Sequence, residues 1–172
     1  MPTELSRLRK VKHRIDPKPG SEWLCTWRLS AHKFGPQIKD KLNPEIKSGR
    51  IYPTPKDKNA ILMFCVAKRD LPDKARFVTD CRLRNLAVYK RQTPLPNIEE
   101  LIELVAAHLV WSKIDFADIY FNIRVEESSE KWNTVLTTHG KMRSQVISQG
   151  DCNATGTIME AMRDIFKDMV YQ

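Results

Sequence analysis

Two short apolar runs in the first half of the chain are separated by a charged stretch that contains proline. The runs are Leu62–Lys68 (LMFCVAK) and Arg76–Arg82 (RFVTDCR), and the stretch between them reads RDLPDKA. Aliphatic, β-branched and aromatic residues favour strands, whereas Asp and Pro favour a turn, so the pattern predicts a β-hairpin with a charged tip. Any fold for this chain must therefore include an antiparallel pair of strands.

A helix is predicted immediately before this hairpin. Pro36–Lys47 (PQIKDKLNPEIK) has an apolar residue at every fourth position, which is typical of an amphipathic helix. We expect Pro44 to interrupt this helix and Gly49 to end it. Residues 50–59 contain two prolines and are predicted to form a loop.

The second half of the chain predicts a helix, a strand, a hairpin and a last helix. Asn97 can cap a helix over Ile98–His108, and Val110–Phe116 is predicted to be a strand that enters the core. Residues 133–147 indicate a hairpin that turns at His139-Gly140, and Ala154–Val170 has helical spacing. This order predicts an α+β fold with an antiparallel sheet and helices on one side.

Charge is distributed unevenly along the chain. Residues 1–91 hold 22 Lys and Arg against 9 Asp and Glu, a net charge of +13, and residues 92–172 hold 7 against 12, a net charge of −5. Clustered Lys and Arg neutralise nucleic-acid phosphates, but they also solubilise a surface. Charge alone favours nucleic acid as a partner only slightly.

Several classes of protein lack support in the sequence. The four cysteines and four histidines have no zinc-site spacing, so inert thiols are expected. The longest apolar run, 60–67, is far shorter than a membrane span, and no secretory signal is evident. We therefore expect a cytoplasmic or nuclear protein that is not secreted and has no membrane partner.

The stretch SKIDFADIYFNI (112–123) places Asp115 after a strand-like run and Asp118 three residues later. A carboxylate there can bind Mg²⁺, which typically takes only one or two protein carboxylates. Spacing alone favours the simpler interpretation, in which Asp115 caps the turn after a strand. The charged hairpin tip is likewise ambiguous, since it suits either a solvated turn or a contact with a triphosphate. QGDCN (149–153) is interpreted as a helix cap.

Six stretches, taken in order, nevertheless form one pattern. They are SGRIYPT (48–54), FCVAKRD (64–70), RFVTDCRLRN (76–85), TPLPNIEELIE (93–103), WSKIDFADIYFNIRV (111–125) and VISQGDCNATGTIMEAMRDIF (146–166). In this the chain resembles the reverse transcriptase, an RNA-directed DNA polymerase, of gypsy-type long-terminal-repeat retrotransposons. The resemblance extends from about His13 to the end of the chain.

The resemblance implies the fingers and an incomplete palm of a right-hand polymerase. The implied divisions are a basic extended arm (1–32), fingers (33–91), a first part of the palm (92–126), a returning fingers hairpin (127–150) and a palm helix (151–172). The implied partners are an RNA or DNA template-primer, a deoxynucleoside triphosphate and the remainder of the polyprotein. The implied cofactor is Mg²⁺.

The resemblance also implies roles for particular residues. Asp115 matches the first catalytic acid, which binds Mg²⁺ together with the backbone carbonyl of Phe116. Residues that match nucleotide contacts are Lys68, Arg76, Asp118, Ile119, Tyr120 and Gln149. Asp118 and Ile119 would act through backbone amides, and Tyr120 would exclude a ribose 2′-OH. Residues that match the template side are Asp80, Arg82 and Gly150.

The chain also departs from the family pattern. The family places its other two catalytic acids in a Tyr-x-Asp-Asp hairpin after the palm helix, and no such motif occurs in these 172 residues. We therefore expect the fragment to be truncated and inactive by itself. The alternatives are a basic module that binds nucleic acid without catalysis, and an inert pseudogene product. Smaller departures are Ile119 in place of Gly, Leu62 in place of Pro, Arg84 in place of Leu and Thr155 in place of Pro.

Overall fold

Among the residues that the structure describes, five strands form one mixed sheet, with helices before, between and after them. The computed structural model describes residues 10–23, 35–67, 69 and 75–170. The strands are β1 (Ile51–Pro53), β2 (Ile61–Ala67), β3 (Ala75–Asp80), β4 (Thr134–Thr137) and β5 (Gly140–Ser144). The helices are α1 (Gly35–Lys47), α2 (Arg82–Ala87), α3 (Ile98–Ala106), α4 (Glu127–Glu130) and α5 (Ala154–Val170), with a 3₁₀ turn over Ile119–Asn122. The predicted α+β class is confirmed.

The order of the strands is β1-β5-β4-β2-β3. β2 and β3 form the predicted antiparallel hairpin, and β4 and β5 form the second one, which turns one residue earlier than expected. The prediction of a wholly antiparallel sheet is wrong, because Ile61 and Leu62 of β2 pair in parallel with Val135 and Leu136 of β4. Parallel pairing needs a long connection, and the chain between β2 and β4 supplies one.

β4 lies between β2 and β5, and all four of its residues are buried. A strand covered on both faces is expected to be uniformly buried instead of alternating. The core that surrounds it joins the sheet to α1 and to the N-terminal segment. Its fully or nearly buried members include Ile15, Trp23, Leu42, Ile51, Ile61, Val88, Val125 and Met142.

Helix α1 runs without a break to Lys47, so the interruption expected at Pro44 is wrong. A proline removes one backbone donor, and the buried Ile38 and Leu42 hold the helix against the core regardless. Gly49 ends the helix as predicted, with φ of 75°. The loop predicted for 50–59 is partly wrong too, because β1 pairs with β5 at the edge of the sheet. Proline is tolerated at an edge.

The predicted helices after β3, α3 and α5, are present, and two further helices there, α2 and α4, were not predicted. Asn97 caps α3 as expected, its Oδ1 accepting the Glu99 N–H at 3.0 Å, although α3 ends at Ala106. The strand predicted to reach Arg82 ends at Asp80, and α2 follows. Local pattern gives little sign of α2, since its inward residue is the fully buried Arg84.

The strand predicted over Val110–Phe116 is wrong. These residues form neither helix nor strand, and every one of them is exposed. A strand needs neighbours that pair its N–H and C=O groups, and none of the five strands lies beside this segment. Apolar side chains that favour a core strand are therefore left on the surface.

The described part of the predicted N-terminal arm, residues 10–23, lies against the core in extended form. His13 pairs with Val125, and Pro17 pairs with Val88, each as an isolated bridge. His13, Ile15 and Trp23 are buried. The remainder of the arm lies outside the described residues.

Candidate nucleotide-binding site

A cavity of about 290 Å³ opens beside the 3₁₀ turn. Its walls come from widely separated parts of the chain, including α1, β2, β3, the 3₁₀ turn and the segment before α5. Predicted site residues that line it are Phe116, Asp118, Ile119, Tyr120 and Gln149. Phe116 and Gln149 are separated by 32 positions in sequence, so the fold and not local sequence brings them to one cavity.

The backbone of Asp118 shapes this cavity. Asp118 has φ of 51° and ψ of 42°, the left-handed conformation that Asp adopts more readily than most residues. Its carbonyl accepts the Phe121 N–H at 2.9 Å and the Asn122 Nδ2–H at 3.3 Å. The tight turn that results places Ile119, Tyr120 and Phe121 together on the cavity wall.

Asp115 precedes this turn and has an exposed side chain. Among the described residues, no three His, Cys, Asp or Glu side chains cluster in a way that would hold a metal ion. An exposed carboxylate and the nearby Phe116 carbonyl fit one part of a Mg²⁺ shell, because Mg²⁺ keeps waters and phosphate oxygens as its other ligands. They do not fit a complete two-metal site, which needs further acids.

The Gln149-Gly150 turn is attached to the base of the β2–β3 hairpin. Thr79 Oγ1 donates to the Gln149 carbonyl at 3.1 Å. The Asn85 side chain spans the turn, since its Nδ2 donates to Gly150 O at 2.9 Å and its Oδ1 accepts the Cys152 N–H at 3.1 Å. Gly150 has φ of 101°, a conformation that favours glycine. Asn85 is a positioning residue that the sequence prediction missed.

The predicted pair Asp80 and Arg82 forms a bidentate ion pair at the end of β3. Arg82 Nη2 lies 2.6 Å from Asp80 Oδ2, and Arg82 Nε donates to Asp80 Oδ1 at 2.8 Å. Hydrogen bonds from Arg82 hold the pKa of Asp80 below its usual value. The Arg82 side chain is 87% exposed, so the pair contributes little to stability but keeps a guanidinium at the surface.

For two residues predicted to contact the nucleotide, the side chain lies outside what the structure describes. Lys68 lies outside the described residues, and of Arg76 only the backbone is described, paired with Val66 in the β2–β3 hairpin. The hairpin therefore carries the backbone of Arg76 on β3, the same strand that contributes Thr79 to the cavity.

A buried ionic cluster lies directly after Gln149-Gly150. Asp151 Oδ2 is 2.9 Å from Arg84 Nη2, and Asp151 Oδ1 is 3.4 Å from His13 Nε2. Burial would raise the pKa of Asp151, but the hydrogen bond from His13 and the charge of Arg84 outweigh it and hold that pKa below its usual value. Arg84 also donates to Asn133 Oδ1 at 2.7 Å. The cluster joins the arm, α2 and the segments that precede β4 and α5.

A second buried ion pair forms part of the cavity wall. Arg50 Nη1 lies 2.7 Å from Glu45 Oε2, with both side chains almost fully buried. The Arg50 guanidinium lies 5.7 Å from the centroid of the Phe121 ring. Glu45 and Phe121 both line the cavity, and neither was predicted. Arg50 lies in the motif SGRIYPT and Phe121 in the motif WSKIDFADIYFNIRV, although neither residue was assigned a role there.

The Cys81 thiol, which lies beside the Gln149-Gly150 turn, is not a reactive group. Cys81 is a free, buried cysteine, and burial raises its pKa to about 11. A thiolate is the reactive form, so Cys81 is a structural residue, as the cysteine spacing predicted.

The chain that forms this α+β fold and cavity is distantly similar in sequence to a protein of the RNA-directed DNA polymerase kind. An RNA-directed DNA polymerase homolog from Oenothera berteroana is 24% identical over 90 residues, which cover 52% of this chain and 63% of that protein. The similarity supports a relationship to reverse transcriptases. The matched region spans less than two thirds of the relative's length.

No family model matches the chain. In the part of the chain that the structure describes, none of the helices has the length and apolar character that crossing a bilayer requires.

Proposed function

We propose that the chain comprises the fingers and an incomplete palm of a gypsy-type retrotransposon reverse transcriptase. The family reaction is template-directed addition of deoxynucleotides to a primer. One observation carries the proposal: Phe116, Asp118, Ile119, Tyr120 and Gln149 line a single cavity. The six ordered sequence motifs and the related polymerase homolog support it independently.

In this proposal the cavity binds the sugar and base of the incoming nucleotide. Tyr120 lies beneath the sugar, and Gln149 contacts the nucleotide at the templating pair. The backbone amides of Asp118 and Ile119, with Lys68 and Arg76, bind the triphosphate. Lys and Arg suit phosphates as a point charge and as a bidentate donor respectively. Asp80, Arg82 and Gly150 lie on the template side.

Asp115 and the Phe116 carbonyl would hold Mg²⁺ in this arrangement. The ion, when bound, neutralises charge on the triphosphate. The chain's own contribution is to orient the sugar and base and to hold one acid beside them. Full two-metal chemistry would require acids from outside these 172 residues.

Sugar selection at Tyr120 tests the proposal. With a template-primer and Mg²⁺ present, we expect the chain to bind dUTP more tightly than UTP, which differs from it only by the 2′-OH. Tyr120→Val should move the ratio of the two dissociation constants toward unity, because the ring that excludes the 2′-OH is removed. Equilibrium titration of labelled nucleotides measures this ratio.

The matched control is Tyr89→Val, since Tyr89 is 54% exposed and does not line the cavity. It should leave the preference for dUTP unchanged. Equal binding of dUTP and UTP by the unaltered chain would contradict the proposed site.

Primer extension by the chain gives a second test. We expect no Mg²⁺-dependent primer extension by the 172 residues alone, because loss of preorganised charge at a phosphoryl-transfer site costs orders of magnitude in rate. Robust extension that disappears in Asp115→Asn, measured on a labelled primer, would show that the site is complete and that the proposed inactivity is wrong.

A second candidate function is nucleic-acid binding without catalysis. The net charge of +13 in residues 1–91 favours it. It requires only a basic surface and not the acids of a polymerase site.

A further inference from the structure

The segment that follows α3 exposes both its side chains and its backbone. Residues 110–116 (VWSKIDF) form no helix, strand or turn, and each of them is exposed. Among the described residues, no backbone N–H or C=O group of 110–116 takes part in a hydrogen bond. Groups of this kind are a template for pairing with another extended chain.

Alternation along 112–116 separates the charged side chains of this segment from its apolar ones. In an extended chain Ser112, Ile114 and Phe116 point to one face, whereas Lys113 and Asp115 point to the other. Lys113 and Asp115 are exposed, and neither forms an ion pair with a described residue. The segment therefore presents one positive and one negative charge, two residues apart, on the same face.

This spacing of charges selects one register for pairing between two copies of the segment. In an antiparallel pair of identical strands, a two-fold axis sets one residue opposite its own copy. An axis at Lys113 or at Asp115 places like charges opposite each other, which destabilises the pair. An axis at Ser112 places both charges opposite apolar residues. Only an axis at Ile114 places Lys113 opposite Asp115 of the partner subunit, and the symmetry makes that favourable pair twice.

The apolar surface around the segment is large enough for a stable interface. Eleven large apolar side chains between Leu95 and Phe116 are exposed by 42% to 103%. They include a stripe along one face of α3, formed by Ile98, Leu101, Ile102 and Val105. A standard interface buries about 800 Å² on each partner, which requires on the order of 70 Å² from each of these eleven side chains.

We propose that the chain forms a symmetric dimer in which residues 112–116 of two copies pair as antiparallel strands centred on Ile114. The same interface covers the apolar stripe of α3. A two-fold interface uses the same surface on both copies, so assembly stops at two. A dye bound to the apolar surface of the dilute monomer should be displaced as the concentration of the chain rises. The inference goes beyond the proposed nucleotide site and does not depend on it.

Charge reversal at Lys113 tests the register. Lys113→Asp places an acid opposite Asp115 in both symmetric pairs, so the dissociation constant of the dimer should rise about tenfold. Lys113→Asp combined with Asp115→Lys exchanges the two charges and should restore the original constant. Sedimentation equilibrium over a range of chain concentrations, without Mg²⁺ or nucleic acid, measures this constant. Lys56→Asp, at an exposed lysine in the loop between β1 and β2, is the matched control and should leave the constant unchanged.

Cross-linking tests the position of the two-fold axis. Ile114 is 64% exposed, so Ile114→Cys should leave the fold intact, and the axis places the two new thiols opposite each other. Oxidised glutathione takes up the two electrons and two protons of these thiols as their disulfide forms. Ser112→Cys faces Phe116 of the partner subunit instead and should cross-link much more slowly. Non-reducing gel electrophoresis measures both rates, and the unaltered chain with its four cysteines gives the background.

Two results in solution would overturn the dimer. The chain would remain monomeric at every concentration tested, or it would form larger assemblies in place of a dimer. The register is wrong if the charge exchange fails to restore the dimer, or if Ser112→Cys cross-links as fast as Ile114→Cys.

Discussion

Arg84 and Asp151 show how strongly single residues are constrained beneath the candidate site. The two side chains are 0% and 2% exposed, and their ion pair is 2.9 Å long. Burying two charges is costly, and the cost is offset only when each finds further hydrogen bonds. Arg84 donates to Asn133, and Asp151 accepts the Asn153 N–H at 2.7 Å. The gypsy-type pattern has Leu at the position of Arg84. In this chain Arg84 has a structural role, because it pairs with Asp151 and donates a hydrogen bond to Asn133.

Replacing Asp151 should be strongly destabilising. Asp151→Asn leaves the Arg84 guanidinium buried without its counter-charge, and a broken buried pair typically costs about 3–5 kcal/mol of unfolding free energy. Urea denaturation at neutral pH measures the change. Asp168→Asn is the control, because Asp168 is an exposed acid on α5, the helix that follows Asp151, and should alter stability little.

The lowered pKa of Asp151 predicts that the stability of the fold depends on pH. The folded pKa of Asp151 is held below its usual value, so its contribution to stability is present above the unfolded carboxyl pKa of about 3.9 and is lost as pH falls through the folded pKa. Denaturation midpoints should therefore fall on acidification more steeply for the unaltered chain than for Asp151→Asn. Parallel curves for the two proteins would refute this assignment.

At the scale of elements, α5 is positioned by close contact with the segment that precedes α3. A Cβ on Gly156 would meet Thr93, with the Thr93 Cβ only 3.0 Å away and its Oγ1 closer still. Arg163 on the same helix donates to the Pro94 carbonyl at 3.3 Å. Glycine at position 156 permits the helix and the segment to approach each other.

This contact predicts that a normally favourable substitution will be harmful. Ala is a better helix former than Gly by about 1 kcal/mol, yet Gly156→Ala should lower the unfolding free energy by about 1–3 kcal/mol through overpacking. Thermal or urea denaturation measures it.

A double-mutant cycle with Thr93→Gly supplies the control. Removing the Thr93 side chain should recover most of the loss, because neighbouring residues couple. Thr155→Ala on the exposed face of the same turn should be nearly neutral. An undiminished loss in the double mutant would show that Thr93 is not the cause.

At the scale of the whole molecule, one region carries most of the exposed apolar surface. Every residue of α3 and of 107–117 is exposed, and the largest exposed fractions include 103% for Leu109, 87% for Val110 and 72% for Ile98. Monomeric proteins rarely expose large contiguous apolar patches. Residues 110–116 have strand-forming composition without a neighbouring strand, so this surface is expected to associate.

A dye that fluoresces when it binds apolar surface should detect the exposed region formed by α3 and residues 107–117. The chain should bind the dye in its folded state, and Leu109→Lys combined with Ile102→Lys should lower the dye fluorescence without lowering stability, since both side chains are exposed. Ser112→Lys adds a charge to the same segment without removing apolar surface and serves as the control. A monomeric chain that binds no dye would argue against an uncovered patch.

Much of the candidate site was predictable from the sequence motifs and their order along the chain. The motif around 111–125 and the one around 146–166 identified Phe116, Asp118, Ile119, Tyr120 and Gln149, all of which line one cavity. Asn85, Glu45 and Arg50 were not assigned there, because their importance comes from partners elsewhere in the fold. Asn85 contacts residues that lie more than sixty positions later.

Local sequence by itself determined the two hairpins, the Asn97 cap and helices α1, α3 and α5, because turn chemistry and apolar periodicity act over a few neighbouring residues. Only the tertiary structure decided the parallel pairing of β2 with β4, the helix α2 around a buried Arg84, and the exposure of 110–116. Those features depend on which distant groups are available to accept a hydrogen bond, neutralise a charge or cover an apolar face. A strand-like segment becomes a strand only when another strand lies beside it.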